Sequence, residues 1–273
     1  MRISHRIKEC LRNSVLYRPL KNLRATLGVG TYSLPFSHTE MAEPFLDRAI
    51  QRMGCAPKMR DMAEFYSYFS EIWGDGYETT LQKQYSSYLP HLESLPSGRF
   101  LDMGCGAGEF VSFLTQHGFA AEGLDQDAQE VERARTAGLI VHQGDILDFL
   151  RTTAAPYAGI SLLEVVEHIP QNLLPELLQE IYENLMPGGI ALLETVNVKH
   201  PLAFHTFYTD PTHQRPVPSD FLIFLLQWVG FVDCKIVYTT PVAYTLSQYH
   251  EPGRAYCNYA IVASKPNGNG VSV

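Results

Sequence analysis

Phe100-Leu101-Asp102-Met103-Gly104-Cys105-Gly106-Ala107-Gly108-Glu109-Phe110 joins a strand to a helix through a turn built of glycines. Phe100 and Leu101 close an apolar strand, Asp102 ends it, and the glycines make a turn that side chains would obstruct. Phe110, Val111, Phe113 and Leu114 then recur at helical spacing, as on a helix with one buried face. A strand, a glycine turn and a helix in that order build a pocket. The N–H groups at the helix start point at whatever sits above the turn, and missing Cβ atoms let a ligand approach the backbone. A dinucleotide fold wants G-x-G-x-x-G, so that a pyrophosphate rests on the helix N-terminus. Here the glycines are 104, 106 and 108, and Glu109 stands where the third glycine should fall. An acid there repels a pyrophosphate. Asp102 is equally poor for phosphate, but its carboxylate can accept hydrogen bonds from an ammonium group. The pattern favours a zwitterionic or cationic ligand; the alternative is a turn that only packs strand on helix.

Composition bounds the rest. The chain has 273 residues, 45% hydrophobic and 18% charged, which suits one globular domain plus an extension. No apolar run reaches the ~18 residues of a transmembrane helix, and residues 1–30 lack the continuous apolar stretch of a signal peptide. Five scattered cysteines without a C-x-x-C pair read as reduced cytosolic thiols. The net charge of −8 argues against a nucleic-acid binder. That charge is uneven: residues 1–24 carry +6, with Ile3, Ile7, Leu11 and Val15 at steps of four. Such a helix either lies on an anionic membrane face, giving a cytoplasmic protein peripheral contact with the inner membrane, or packs on a partner.

Four segments are expected: a basic, helical extension over 1–60, a helical lid over 61–98, the main domain over 99–265 and a flexible tail over 266–273. Asp61–Trp73 and Thr79–Leu89 read as helices, with Tyr66, Phe69 and Tyr85 as candidate lid contacts. After the glycine turn, β and α segments alternate. Ala120–Asp125 is a short strand ending in an acid, 21 residues beyond Gly104. A carboxylate there can accept both hydroxyls of a ribose, or can cap the following helix. Leu139–His142 is a third strand, followed by Asp145, and Gly159–Leu163 a fourth, followed by Glu164-Val165-Val166-Glu167-His168-Ile169. Residues 173–185 form a helix, Ile190–Val196 a fifth strand, and Phe231–Tyr238 and Asn258–Ser264 a final antiparallel pair. Spacing gives an α/β fold with a mostly parallel sheet. The segment 197–219 is too long for a simple turn and holds His200, His205, His213, Asp210, Arg215 and three aromatics. Its histidines are irregularly spaced and no cysteine joins them, so no metal is expected.

The D-x-G-C-G-x-G string of Asp102–Gly108 resembles motif I of class I S-adenosylmethionine-dependent methyltransferases. That resemblance implies a doubly wound, seven-stranded Rossmann-like sheet ordered 3-2-1-4-5-7-6. The cofactor is then S-adenosyl-L-methionine, leaving as S-adenosyl-L-homocysteine. Asp102, Gly104, Cys105, Gly106 and Gly108 would line it, Asp125 and Gln126 would meet the ribose side, and Asp145 and Ile146 the adenine. An N-cap is the other reading of Asp145. Glu164 and its E-V-V-E-H-I string are similar to small-molecule and quinone-type methyltransferases, where the string lies beside the methyl group. The string F-Y-x-D-P-T-H-x-R-P-V-P of residues 207–218 is similar to bacterial surface-polysaccharide methyltransferases of O-antigen type. That group has an Arg-Gly pair in the lid where this chain has Trp73-Gly74. The implied acceptor is a hydroxyl or phosphate of a glycan or glycolipid precursor. The alternatives are a free small molecule (nucleotide sugar, quinone or amine) and a non-catalytic scaffold. For a hydroxyl, His168 or His213 is the candidate base; for a phosphate, Arg215 takes the larger role.

Overall fold

The computed structural model describes residues 45–58, 68, 77–153, 156–241 and 252–267. The chain divides into two compact units, Met1–Trp73 and Gly74–Val273, so the division falls inside the segment expected as a lid. In the first unit, helix α1 (Phe45–Met53) is followed by Gly54 at φ 72°. The Tyr68 hydroxyl donates to the Cys55 carbonyl at 3.1 Å. The expected basic helix of residues 1–24, Tyr66, Phe69, Trp73 and the end of the tail lie outside the described residues.

The second unit runs α2 (Tyr77–Ser86), α3 (Leu89–Leu92), β1 (Arg99–Met103), α4 (Glu109–Gln116), β2 (Ala120–Asp125), α5 (Ala128–Thr136), β3 (Val141–Gln143), α6 (Ile146–Thr152) and β4 (Tyr157–Leu163). A 3-10 turn (Val166–His168) follows, then α7 (Leu174–Asn184), β5 (Leu185–Val196), α8 (Ala203–Thr209), α9 (Ser219–Val229), β6 (Val232–Pro241) and β7 (Tyr256–Ser264). The strands form one sheet in the order β3-β2-β1-β4-β5-β7-β6, the expected one. Only β7 runs against its neighbours.

Strand alternation dresses both faces of the sheet. Leu101, Met103, Ile160, Leu162, Ala191, Leu193 and Ile261 point to one face, where they meet α7 and α9 through Leu177, Leu178, Ile181, Leu222 and Leu226. Phe100, Leu192, Ala260 and Val262 point to the other, against Phe110 and Phe113 of α4 and Tyr85, Tyr88 and Leu92. Tyr85 thus belongs to the core: its ring lies 4.9 Å from that of Phe110. The expected single helix over 79–89 is two pieces, broken before Leu89, with Pro90 in the first turn of the second. β5 begins five residues before its expected start, because Pro187-Gly188-Gly189 continues alongside β4 past an irregularity at Tyr157/Gly159. Among the described residues no helix is long and apolar enough to cross a membrane.

Candidate functional site

The carboxyl ends of β1, β2, β3 and β4 carry, in turn, Asp102, Asp125, Asp145 and Glu164. In a doubly wound sheet that edge is where ligands lodge. Gly104, Gly106 and Gly108 all adopt positive φ, at 72°, 53° and 86°. The reasons they are glycines differ. A Cβ on Gly104 would stand 2.5 Å from Val165 Cγ2, so the turn presses against the chain leaving β4. A Cβ on Gly108 would stand 2.5 Å from Leu139 Cδ1. Among the described residues a Cβ on Gly106 would meet nothing nearer than Glu109 Oε2 at 4.0 Å, so they leave its side of the turn open.

The turn is not a cradle of free amides, as the sequence reading had it. Gly104 and Cys105 N–H both donate to the Leu124 carbonyl, at 2.8 and 3.1 Å, and Gly108 N–H to Cys105. Gly106 N–H donates to Asp125 Oδ2 at 2.8 Å. The first turn of α4 is capped by Gly108 without a side-chain hydrogen bond, so its leading N–H groups are the donors that remain. Cys105 packs its thiol against Gly123, with Sγ donating to the Gly106 carbonyl at 3.6 Å, and burial pushes the thiol pKa up.

Asp125 holds two amides, Gly106 N on Oδ2 and Asp127 N on Oδ1, which fixes its carboxylate beside the turn. Each oxygen retains a lone pair for a ligand hydroxyl. The helix cap expected of it falls to Asp127, which accepts from Gln129 and Glu130. Asp145 caps α6 through Oδ1, taking the amides of Leu147 and Asp148, and is exposed. Ile146 packs half-buried against the core, and Gln126 is exposed.

Asp102 is 3% exposed and sits opposite Ser161 in the β1–β4 register, whose hydroxyl donates to Oδ1 at 2.6 Å. Burial pushes its carboxyl up to about 7; the Ser161 bond lowers it, and Glu109 and Asp125 raise it further. Glu194 is fully buried and likewise pushed up to about 7 by burial, against hydrogen bonds from Thr239, Asn258 and Gln84. Glu164 has φ 55°, unusual for a residue with a side chain. Enclosure and the neighbouring Glu167 and Glu194 carboxylates raise its pKa, although the residue as a whole is open to solvent. Glu167 is fully buried with both oxygens unpartnered; a protonated Glu164 is the group that can supply a hydrogen.

His168 and His213 meet, their rings edge-on with centroids 4.6 Å apart. Gln214 N–H donates to the Glu167 carbonyl at 2.8 Å, which straps the long loop to the 3-10 turn after β4. His168 Nδ1 bonds Thr212 Oγ1 at 2.9 Å, and His213 Nδ1 bonds the Phe207 carbonyl at 2.6 Å. Burial lowers the His168 pKa, as does His213, against the opposite pull of Glu167 and Asp210. Arg215 is exposed, bonds Gln171, and lines a cleft of about 210 Å³ with Ile169, Leu174, Val217 and Phe221. His200 is buried with Nδ1 accepting the Leu202 amide. Two features escaped the sequence reading. One is α8, although Phe204, Phe207 and Tyr208 stand at helical spacing. The other is the convergence of Asp210 and Thr212 on His168.

The donor set suits a zwitterionic adenosine. Carboxylates at this edge can accept from hydroxyl and ammonium groups, the glycine turn is open at Gly106 among the described residues, and the turn residues 102–109 include no cation.

The methyltransferase-domain family model matches residues 77–235. A ubiquinone biosynthesis O-methyltransferase of Saccharophagus degradans is 25% identical over 127 residues, 44% of this chain and 52% of that protein. One from Xylella fastidiosa strain M23 is 31% identical over 117 residues, 40% of this chain and 46% of that protein. The chain thus spans about half the length of the curated relatives it matches. A solved S-adenosylmethionine-dependent methyltransferase from Archaeoglobus fulgidus superposes with a TM-score of 0.64 at 23% identity, over 73% of this chain and all of that one. That is a likeness of fold.

Proposed function

The chain belongs to the methyltransferase-domain family, and we propose that it moves a methyl group from S-adenosylmethionine to a hydroxyl on a small organic acceptor. When bound, the cofactor supplies an electrophilic methyl group on a sulfonium. Asp125 would receive its ribose hydroxyls, Asp102 its ammonium group, the open side of Gly106 its close approach, and Asp145 with Ile146 its adenine. Each of these lies at the carboxyl edge of the sheet.

The observation that carries the hydroxyl is the pair His168 and His213 at the end of β4, beside the Val165–Gly104 contact. Each has Nδ1 hydrogen-bonded within the chain, so Nε2 is the ring atom left to take a proton. A hydroxyl nucleophile needs that proton removed. The lowered His168 pKa keeps its ring neutral and able to accept. The Gln214–Glu167 strap and the buried core beneath hold both rings in place, which supplies orientation.

Relatives named for O-methylation in ubiquinone biosynthesis support the small-molecule acceptor over the glycan expected from the loop string. The test is labelled cofactor with a panel of dihydroxyaromatic compounds, nucleotide sugars, amines and lipid-linked glycans, read by mass spectrometry. Growth of an aromatic hydroxyl compound by one methyl group is the expected result. Transfer confined to glycans returns the loop reading, transfer to amines removes the hydroxyl mechanism, and no transfer across the panel counts against the proposal.

A further inference from the structure

We propose that His168, Asp210 and His213 form a binding site for a divalent transition-metal ion of the zinc, cobalt or nickel kind. A ring nitrogen of each histidine and an oxygen of Asp210 lie within 4.8 Å of one another, and all three residues are half-buried. Two imidazoles and one carboxylate are the ligand types such ions select, whereas magnesium and calcium take all-oxygen sets.

Hydrogen-bond logic fixes which atoms are available. Thr212 Oγ1 stands 2.6 Å from Asp210 Oδ1 and 2.9 Å from His168 Nδ1. A carboxylate only accepts, so the single hydroxyl proton goes to Asp210, and Thr212 must accept from His168 Nδ1–H. The Phe207 carbonyl also only accepts, so His213 Nδ1 carries its proton as well. Both neutral rings therefore present an unprotonated Nε2. Asp210 Oδ1 takes two donors, the Thr212 amide at 2.7 Å and the Thr212 hydroxyl, which leaves Oδ2 for a ligand. Metal-ligating histidines are held this way, with the second ring N–H donated to a carbonyl or to a carboxylate-linked group.

The ligands come from two segments that the Gln214–Glu167 hydrogen bond keeps side by side, so no large loop motion is required. Ligands at about 2.1 Å from a tetrahedral ion stand roughly 3.4 Å apart, closer than the 4.8 Å spread of the three residues' ligand atoms here, so closure needs side-chain movement. Three protein ligands leave a fourth position open. The use of that position rests on the function proposed above. An acceptor hydroxyl bound there would ionise on the ion and release its proton to solvent, in place of direct uptake by a ring. The existence of the site does not depend on that use.

The test takes the full chain, stripped with a chelator and titrated with Zn²⁺ by calorimetry and with Co²⁺ by visible absorption. One ion per chain is expected, with a ligand-field spectrum of low coordination number. His168→Ala, Asp210→Asn and His213→Ala should each weaken Co²⁺ about 100-fold or more, and Thr212→Val about 10-fold, in the range seen for outer-shell partners. S-adenosylhomocysteine binding, measured in the same samples, should not change, which shows that each variant is folded. No bound Co²⁺, binding that survives all the variants, or occupancy by Mg²⁺ alone overturns the site. Methyl transfer at full rate in the chelated chain would also overturn the ion's use while leaving the proposed function standing. A chain that binds Co²⁺ as expected and transfers no methyl group would overturn the proposed function, and the ion's use with it, while leaving the site standing.

Discussion

Two glycines in one turn, exchanged one at a time for alanine, separate what the fold needs from what the ligand needs. At Gly104 the new Cβ would stand 2.5 Å from Val165 Cγ2, in a backbone at φ 72°. Left-handed backbone costs a residue with a side chain about 1–2 kcal/mol, and forcing a methyl into a packed contact costs about 1–3 kcal/mol more. Gly104→Ala should therefore lose roughly 2–5 kcal/mol, or, at about 2–4 °C per kcal/mol for a unit of this size, roughly 4–20 °C in Tm. Gly106→Ala bears only the backbone term, since among the described residues its Cβ meets nothing nearer than Glu109 Oε2 at 4.0 Å, so its Tm should fall by roughly 2–8 °C. The ligand should feel the opposite order. The Gly106 methyl fills the open side of the turn, and a clash of about 1–3 kcal/mol weakens S-adenosylhomocysteine about 5- to 150-fold. Differential scanning calorimetry reads the first quantity and titration calorimetry the second. A Gly106→Ala chain that binds S-adenosylhomocysteine as tightly as the native one would refute the placing of a ligand against that glycine. A Gly104→Ala chain no less stable than Gly106→Ala would refute the Val165 contact as the reason for the first.

The acids give a pH signature. Asp102 is pushed up to about 7 in the folded chain against about 4 unfolded, so the native state holds the extra proton between those values. Its contribution to stability therefore falls as pH rises from about 4 to about 7 and is flat above. Asp102→Asn should flatten part of that slope in urea titrations, and an unchanged slope would count against it. If Asp102 receives the ammonium group, S-adenosylhomocysteine affinity should strengthen as pH rises towards 7, and Asp102→Asn should abolish that trend in calorimetry. His213→Ala should lower turnover about 100-fold or more, and unchanged turnover removes it from proton transfer. Gly159→Ala drives a methyl into the Phe100 ring and should cost about 1–3 kcal/mol by denaturant titration, with ligand affinity kept. Deleting residues 1–24 should leave turnover of a soluble acceptor unchanged, and its loss would return those residues to the catalytic account.

The sheet was legible because each of its strands is bounded by residues with one meaning. Asp102-Met103-Gly104, Leu124-Asp125 and the apolar Ile190–Val196 each end in groups that cannot continue a strand or that begin a turn, and their alternation with helical segments gives a mostly parallel α/β sheet, while the strand order followed from the motif resemblance and not from spacing. The edges were less legible. Pro187-Gly188-Gly189 reads as a stop, yet it follows β4 because the neighbouring strand tolerates an irregularity there. Tyr85 reads as a lid aromatic but is a core residue, because helical spacing says which face is apolar and not what covers it. The same ambiguity ran through the motif. Glycine spacing announces a turn, but it does not say whether the amides face a ligand or their own chain, and here four of them serve the chain.

The histidine site shows where one-dimensional reading stops. His168 lies in a string read as part of β4's end, while Asp210, Thr212 and His213 lie in a loop some 40 residues later, and no spacing rule links them. What joins them is the Glu167 carbonyl, which accepts from the Gln214 N–H at 2.8 Å and the Arg215 N–H at 3.4 Å, and a hydroxyl that bridges an acid to an imidazole. Searching the loop alone for metal ligands pairs His200 and His205 with His213, yet His200 is committed to the Leu202 amide. The partner for His213 comes from the sheet. A methyltransferase sheet of this order always delivers the end of β4 next to the loop after β5, since the two strands are neighbours in register from Gly159–Ile190 to Leu163–Glu194. Chemistry split between those two segments is therefore invisible to motif spacing and dictated by topology. It follows that His168→Ala and His213→Ala should be non-additive in turnover, the double variant losing little beyond the worse single one, because residues that act as a unit fail together. Independent, multiplying losses in single-turnover assays would mean that the rings serve separate purposes.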